Sequence, residues 1–321
     1  MKMYTLCAAI ATALIGAAFV GTGACAAEAA KIESHSIATD GDTSKDLHET
    51  WNVASDARIE IGNVRGTVTV TTWDKPVADL SGTLGGDSKL DISGDAGHLT
   101  LKVQGIKNGW SGNGPDSDSD LILRVPRTAA LDVGVVSADA NVNGAAGKTL
   151  EVASVSGTVT INSGAPDVDV NSVSGDVMFD AAAKTSMTRA HLQTVSGNIN
   201  AKGLSGRLKV ETVSGDMSVD AGQVQDLEAG TVSGDVNLTF TPAAHANIKL
   251  ESMSGDLRLH LPSSLSAHIE ATTFSGGIDS DFGKVQEKEM GPGSSLDAQA
   301  GSGDAKISAQ SFSGDIQVRR Q

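Results

Sequence analysis

The chain has 321 residues, with 37 Gly, only 7 Pro, aromatics at 3% and a formal charge of −15. Such acidity argues against nucleic acid or an anionic membrane surface as partner, because both need a positive field. It suits a β-rich protein that must stay soluble and avoid edge-to-edge association.

Residues 1–27 read as an export signal. Lys2 gives the positive start, residues 6–20 form a mostly apolar run, and Ala24-Cys25-Ala26-Ala27 offers small residues for cleavage. The run is short for a membrane span, so the mature chain is expected to carry no transmembrane segment. Removal would take away Lys2, moving the charge from −15 to −16, together with both cysteines, Cys7 and Cys25. No disulfide framework is then possible. Cys25 is also a candidate lipidation point, although Thr22-Gly23-Ala24 lacks the Leu or Val usual three residues before such a cysteine.

Residues 28–56 are polar and read as an irregular lead-in to a domain over 57–321. Looser strands are expected at 77–80, 89–92 and 99–103. Residues 105–120 hold Gly, Asn, Ser, Asp and one Pro without periodicity, and read as a turn-rich loop. Strands resume at 121–125, and a regular array runs from about 129 to 280. A charged insertion at 281–295 is expected to protrude or cap, with room for a short helix at 284–290.

Within the array a tripeptide recurs, as Ser172-Val173-Ser174-Gly175-Asp176, Thr212-Val213-Ser214-Gly215-Asp216 and Thr231-Val232-Ser233-Gly234-Asp235. It returns as Ser252-Met253-Ser254-Gly255-Asp256 and Ser311-Phe312-Ser313-Gly314-Asp315. Each copy also changes phase. Val168, Val170 and Ser172 lie two apart, and then Val173, Gly175, Val177 and Phe179 do, shifted by one. A bulge or corner produces such a slip, and the reading places Val173 and its equivalents inward.

The same slip identifies Ala138 and Gly66 as corner positions. From Ala138 to Gly276 the spacings are 19, 18, 22, 18, 19, 21 and 21, and the last gap, to Gly314, is 38, read as two further turns. Two short strands and two connections per repeat predict an all-β, single-chain parallel β-solenoid, or β-helix, with Ser-Gly-Asp turns. About ten short rungs at ~4.8 Å would give a rod ~45–50 Å long. In this reading the Ser/Thr hydroxyls stack into an internal ladder, and each Asp points outward to bond its own turn's backbone.

The opening from Ile59 to Val70, Trp73-Asp74, Val125-Pro126, the Ser-Gly-Asp turns and the close from Gly291 to Arg319 resemble a known family. It is a widespread bacterial family of uncharacterised β-strand-repeat proteins, a domain of unknown function carrying an adhesin label. The resemblance covers about residues 50–320. It implies an exported β-solenoid with no established catalytic residues.

The residues themselves supply no catalytic, cofactor or metal assignment. Asp116, Asp118 and Asp120 alternate like the start of an EF-hand loop, but Leu121 stands where Gly belongs and no Glu follows at the required distance. They and Trp110, in the same loop, are the candidate partner-binding residues. Trp51 and Trp73 are expected to cap an open end. The function expected is a non-enzymatic, envelope-associated or secreted, adhesin-like binding or structural protein, periplasmic or released. Its partner would be an unknown envelope protein or a glycan. One alternative is a periplasmic assembly or regulatory factor recognising envelope proteins. Another is a polysaccharide-active β-helix enzyme, which would need clustered acids, long loops and aromatic platforms.

Overall fold

The computed structural model describes residues 31–106, 117–182, 187–287 and 293–321. The regular elements among them are all strands, so the fold is all-β. Alternation builds each strand. In Asp167–Ser174, Val168, Val170 and Ser172 are buried, and in Val177–Ala181, Val177 and Phe179 are. Burying such side chains contributes roughly 2 kcal/mol each, an upper figure for a chain compact before folding.

The phase change is a corner, one of the two expected causes, but the inward placement of Val173 is corrected. Val173 does not continue inward; residues 173–176 all leave the core before Val177 re-enters. A four-residue corner therefore joins two strands that lie in different ladders. The first ladder pairs, in parallel, 130–137, Thr149–Ser156, Asp167–Ser174, Arg189–Ser196, 207–214, 226–233 and 247–254. The second pairs 138–145, Val159–Ser163, Val177–Ala181, 199–202, 217–224, 236–242 and Leu257–Leu261. The apolar core runs continuously between them.

Both ladders extend in parallel through 58–73 to one further strand on each side, beyond which the order turns antiparallel. Residues 58–62 pair with His98–Gly105, followed by Ser88–Asp95 and Lys31–Ala38. Residues 66–73 pair with Ser119–Pro126, followed by Val77–Leu84 and Lys45–Asn52. The expected irregular lead-in at 28–56 is thus corrected: 31–38 and 45–52 are strands covering the sheet edges. Their polar residues face solvent, which hid the pattern, while Leu47 and Trp51 face the core.

The C-terminal end also departs from sequence order. Residues 247–254 pair with Ala305–Ser313, which in turn pairs with Ala267–Ser275. Leu257–Leu261, Ile316–Arg320 and Ile278–Ser280 follow the same order. The turn at Gly314 therefore lies between those at Gly255 and Gly276, rather than two turns beyond. The chain reaches it by running Ser294–Ala300 antiparallel along the outer edge of 267–275, then crossing to the inner edge. Val285–Glu287, placed in the candidate helix, is instead a strand against 294–296.

The corners hold neighbouring turns together. The N–H of Gly234 donates to Ser254 O and that of Val236 to Asp256 O, at 3.1 and 2.9 Å. Gly234 has φ 140°, and a Cβ there would collide with the carbonyl oxygen of Gly215. The outward Asp does not bond its own turn. Asp235 N–H donates to the Asp216 carboxylate at 2.9 Å, Asp256 N–H to Asp235 at 3.1 Å, and Asp315 N–H to Asp256 at 2.9 Å. Asn198 serves the same way for Asp216. The run ends at Gly277, whose N–H donates to Asp315 and which has no side chain to receive another turn. The expected internal column of hydroxyl residues is present, in register and buried, as at Thr194, Thr212, Thr231 and Ser252. Its hydrogen bonds go to corner carbonyls, Ser252 donating to Gly255 O at 3.2 Å and Thr273 to Gly314 O at 3.1 Å.

Two predictions follow from this arrangement. In oxidised protein, Ser254→Cys with Ser313→Cys should form a disulfide, and Ser254→Cys with Ser275→Cys should not, read on non-reducing gels; the opposite result would restore sequential order. The second concerns Asp235, whose carboxyl is held below the ordinary range by Arg258 and then by the Asp256 N–H, against burial. A depressed folded pKa stabilises fully above the unfolded value near ~3.9 and is lost as pH falls through the folded value. Asp235→Asn should therefore lower the urea midpoint at pH 7, and the gap to wild type should close below pH ~4.

Candidate interaction surface

Each corner carries one apolar residue out of the core. In spatial order these are Val136, Val155, Val173, Val195, Val213, Val232, Met253, Phe312 and Phe274. Register stacks them into a ridge along one corner of the molecule. Its middle valines are half-buried, but Met253, Phe274 and Phe312 are 41%, 49% and 58% exposed. The two rings stack with centroids 5.0 Å apart and planes 6° from parallel. They are distant in sequence and meet only because the Gly314 turn sits beside the Gly276 turn. A contiguous exposed apolar ridge of this kind marks a contact surface.

A groove of about 720 Å³ runs beside the ridge, between Val232, Met253 and Phe312 on one side and Glu211, Glu228 and Glu251 on the other. Gly230 forms its notch, since a Cβ placed there would meet only Glu251 O, at 4.0 Å. Lys249 is the cation among the lining residues, hydrogen-bonded to Glu251 at 2.8 Å and raised in pKa chiefly by that bond. Lys209 reaches Glu211 at 3.0 Å. Across the ridge, Arg258 bridges Asp235 and Asp256, both at 2.8 Å.

A second charged row, Glu60, Asp132, Glu151 and Asp169, crosses the first ladder near its N-terminal end. Arg58 clamps it, 2.9 Å from Asp132, 3.5 Å from Glu60 and 3.7 Å from Glu151. Burial opposes ionisation of Glu60 most, yet His98, Lys102 and Arg58 together hold its pKa below the usual value. Burial pushes Glu151 up; Arg58 opposes this, and Asp132, Asp169 and Asp167 add to it. These carboxylates are largely engaged in ion pairs, along a groove of about 570 Å³ that Gly62, Gly134 and Ala153 also line. Among the described residues, no three His, Cys, Asp or Glu side chains are placed to hold a metal ion.

Of the residues singled out from sequence, Trp110 and Asp116 lie outside the described residues. Asp118 pairs with Arg65 at 2.7 Å, and Asp120 is exposed on the strand Ser119–Pro126. Ser119 between them is buried; its carbonyl accepts from Asn63 at 2.8 Å and its hydroxyl from Gly85 N–H at 2.9 Å. Trp51 is buried in the N-terminal core, while the Trp73 indole donates to Val77 O at 2.8 Å and carries Lys75 over its ring. Phe274, Phe312, Met253 and Gly230 were missed. For the first three the signal is the change from Val to Met or Phe in the last copies, which an inward placement of that position conceals.

The family model Toastrack DUF4097 matches residues 56–319. No curated protein matches the sequence. Among solved structures, a "putative cell adhesion protein" from Clostridium sporogenes is 10% identical with a TM-score of 0.19, covering 86% of this chain and 100% of its own. A "putative adhesin" from Bacteroides fragilis is 14% identical with a TM-score of 0.36, covering 87% and 99%. A "putative lipid binding protein" from Parabacteroides distasonis is 10% identical with a TM-score of 0.34, covering 88% and 100%. At such TM-scores, the role of this chain has to be argued from its own residues.

Removing the rings tests whether the ridge is surface or scaffold. Phe274→Ser with Phe312→Ser should reduce binding of an apolar fluorescent dye severalfold, yet cost no more than about 1 kcal/mol in urea unfolding. A loss of several kcal/mol would place the rings in the core.

Proposed function

Because the chain belongs to the Toastrack DUF4097 family, we propose that it is an exported, non-enzymatic, adhesin-like binding protein. In this reading the two ladders form one β-solenoid of ten turns, and its corner ridge contacts an envelope protein or a glycan. The supporting observation is the stacked, half-exposed pair Phe274 and Phe312 at the end of an apolar line. A folded chain leaves large rings in water at a cost, and function is the usual reason when they are contiguous.

The rigid turns support this reading. A long regular surface places contacts in fixed register, which suits recognition of an extended partner. The polysaccharide-active alternative has less behind it, since the carboxylates of the Glu60–Asp169 row meet Arg58, His98, Lys102 and His191, with no aromatic platform beside them among the described residues. A periplasmic assembly factor would use the same ridge with a different partner.

Affinity capture from the native envelope tests the proposal, with the wild-type chain and the Phe274→Ser, Phe312→Ser variant side by side. The wild type should retain a defined partner and the variant should lose it. Equal recovery would remove the ridge from the function, and turnover of a polysaccharide panel would replace binding by catalysis.

A further inference from the structure

We infer that the groove at Gly230 takes an apolar side chain from an extended, basic polypeptide segment, a conclusion that rests on the ridge being a contact surface. Gly230 stands in the outward column Gln193, Glu211, Gly230, Glu251, Gln310, in parallel register across five turns. Every other member of that column carries a long side chain. Its two flanking glutamates are two turns apart, roughly 9.6 Å at the spacing of parallel strands. The gap is therefore one side chain wide, walled on its ridge side by Val232, Met253 and Phe312.

Charge sets the rest of the occupant. Glu211, Glu228 and Glu251 line the groove; Lys209 holds Glu211 and Lys249 holds Glu251, which leaves Glu228 as the acid with no ion pair among the described residues. Glu228 is exposed and acts on Lys249 only through space among the described residues. Beyond the ridge runs the line Asp216, Asp235, Asp256 and Asp315, of which Arg258 engages the middle two. An apolar strip with acids on both sides is complementary to a strand whose alternate residues are apolar and basic. In an extended segment those two sets point to opposite faces, and long Lys or Arg stems can bend back to the flanking acids while the apolar set enters the notch. A second copy of this chain fits poorly, because each copy carries −15. A neutral glycan would hydrogen-bond the carboxylates without compensating their charge, and the two Phe rings already cover one another's inner faces.

The test measures binding of a fluorescent synthetic peptide of alternating Lys and Phe to the full chain, against a matched peptide of alternating Glu and Phe. The Lys peptide should bind and weaken as salt rises; the Glu peptide should not bind. Gly230→Leu, which has open space for its Cβ, should weaken binding at least about tenfold, equivalent to ~1.4 kcal/mol. Its circular dichroism and unfolding midpoint should stay unchanged. Glu228→Lys, an exposed change, should weaken binding independently, so a misfolded Gly230→Leu does not decide the matter. No binding of the Lys peptide, equal binding of both peptides, or indifference to both variants overturns the inference. Self-association of the chain that Gly230→Leu abolishes would assign the groove to a second copy and also overturn it. If envelope capture still depends on Phe274 and Phe312 while the peptide fails, only the groove assignment falls. If capture too is indifferent to the rings, the ridge reading falls with it.

Discussion

Close approach of backbone to backbone at the corner is the constraint on which the rest depends. Each corner glycine donates its N–H to the next turn, and a Cβ on Gly215, Gly234, Gly255 or Gly314 would strike the carbonyl of the preceding one. The approach lets the outward Asp extend the contact, since its carboxylate lies near the N–H of its counterpart one turn away. Three bonds per corner, each worth about 1 kcal/mol net, lock the turns in register. Register then makes every position a column, so one residue choice repeated becomes a surface.

That is why the ridge exists at all. Four residues leave the core at each glycine corner, while at the first Ala138 stays buried, and one outward residue is apolar in each copy from Val136 to Phe274. Along most of the molecule it is valine, small enough to lie half-covered by its neighbours. Only at the C-terminal end does it become Met or Phe, and there the turn spacing coincides with the spacing at which rings stack. The groove has the same origin: between Gln193 and Gln310 the column carries long polar side chains except at Gly230.

Much of this was legible beforehand and some was not, for identifiable reasons. Alternation is a local signal, so strands such as Asp167–Ser174 and 77–80 could be read directly, as could the corner at Ala138, which has lost its Ser-Gly letters. Phase carries less. From Ser172 to Val177 the buried residues shift from even to odd, but a slip at Val173 and a corner across 173–176 give the same shift. Choosing the former put Phe274 and Phe312 in the core and hid the surface. The edge strands 31–38 and 45–52 were lost because an edge strand turns polar residues outward and few apolar ones inward. Turn order was beyond local reading, although Gly277 in place of Asp marks its turn as one that need not receive a successor.

The placement of residues 305–320 between two earlier turns has a consequence for how the molecule is assembled. Along the regular array from 130 to 254 a turn can add to a finished neighbour, so contacts span about twenty residues and close quickly. Here the strands at 247–254 and 267–275 must remain apart until a segment some forty residues further along arrives to join them. The C-terminal quarter thus behaves as an arch closed by its keystone: its parts hold their final positions only once the central piece is set. The two stacked rings come together in that same step, so the most apolar contact of the ridge is completed only when this end of the chain has closed.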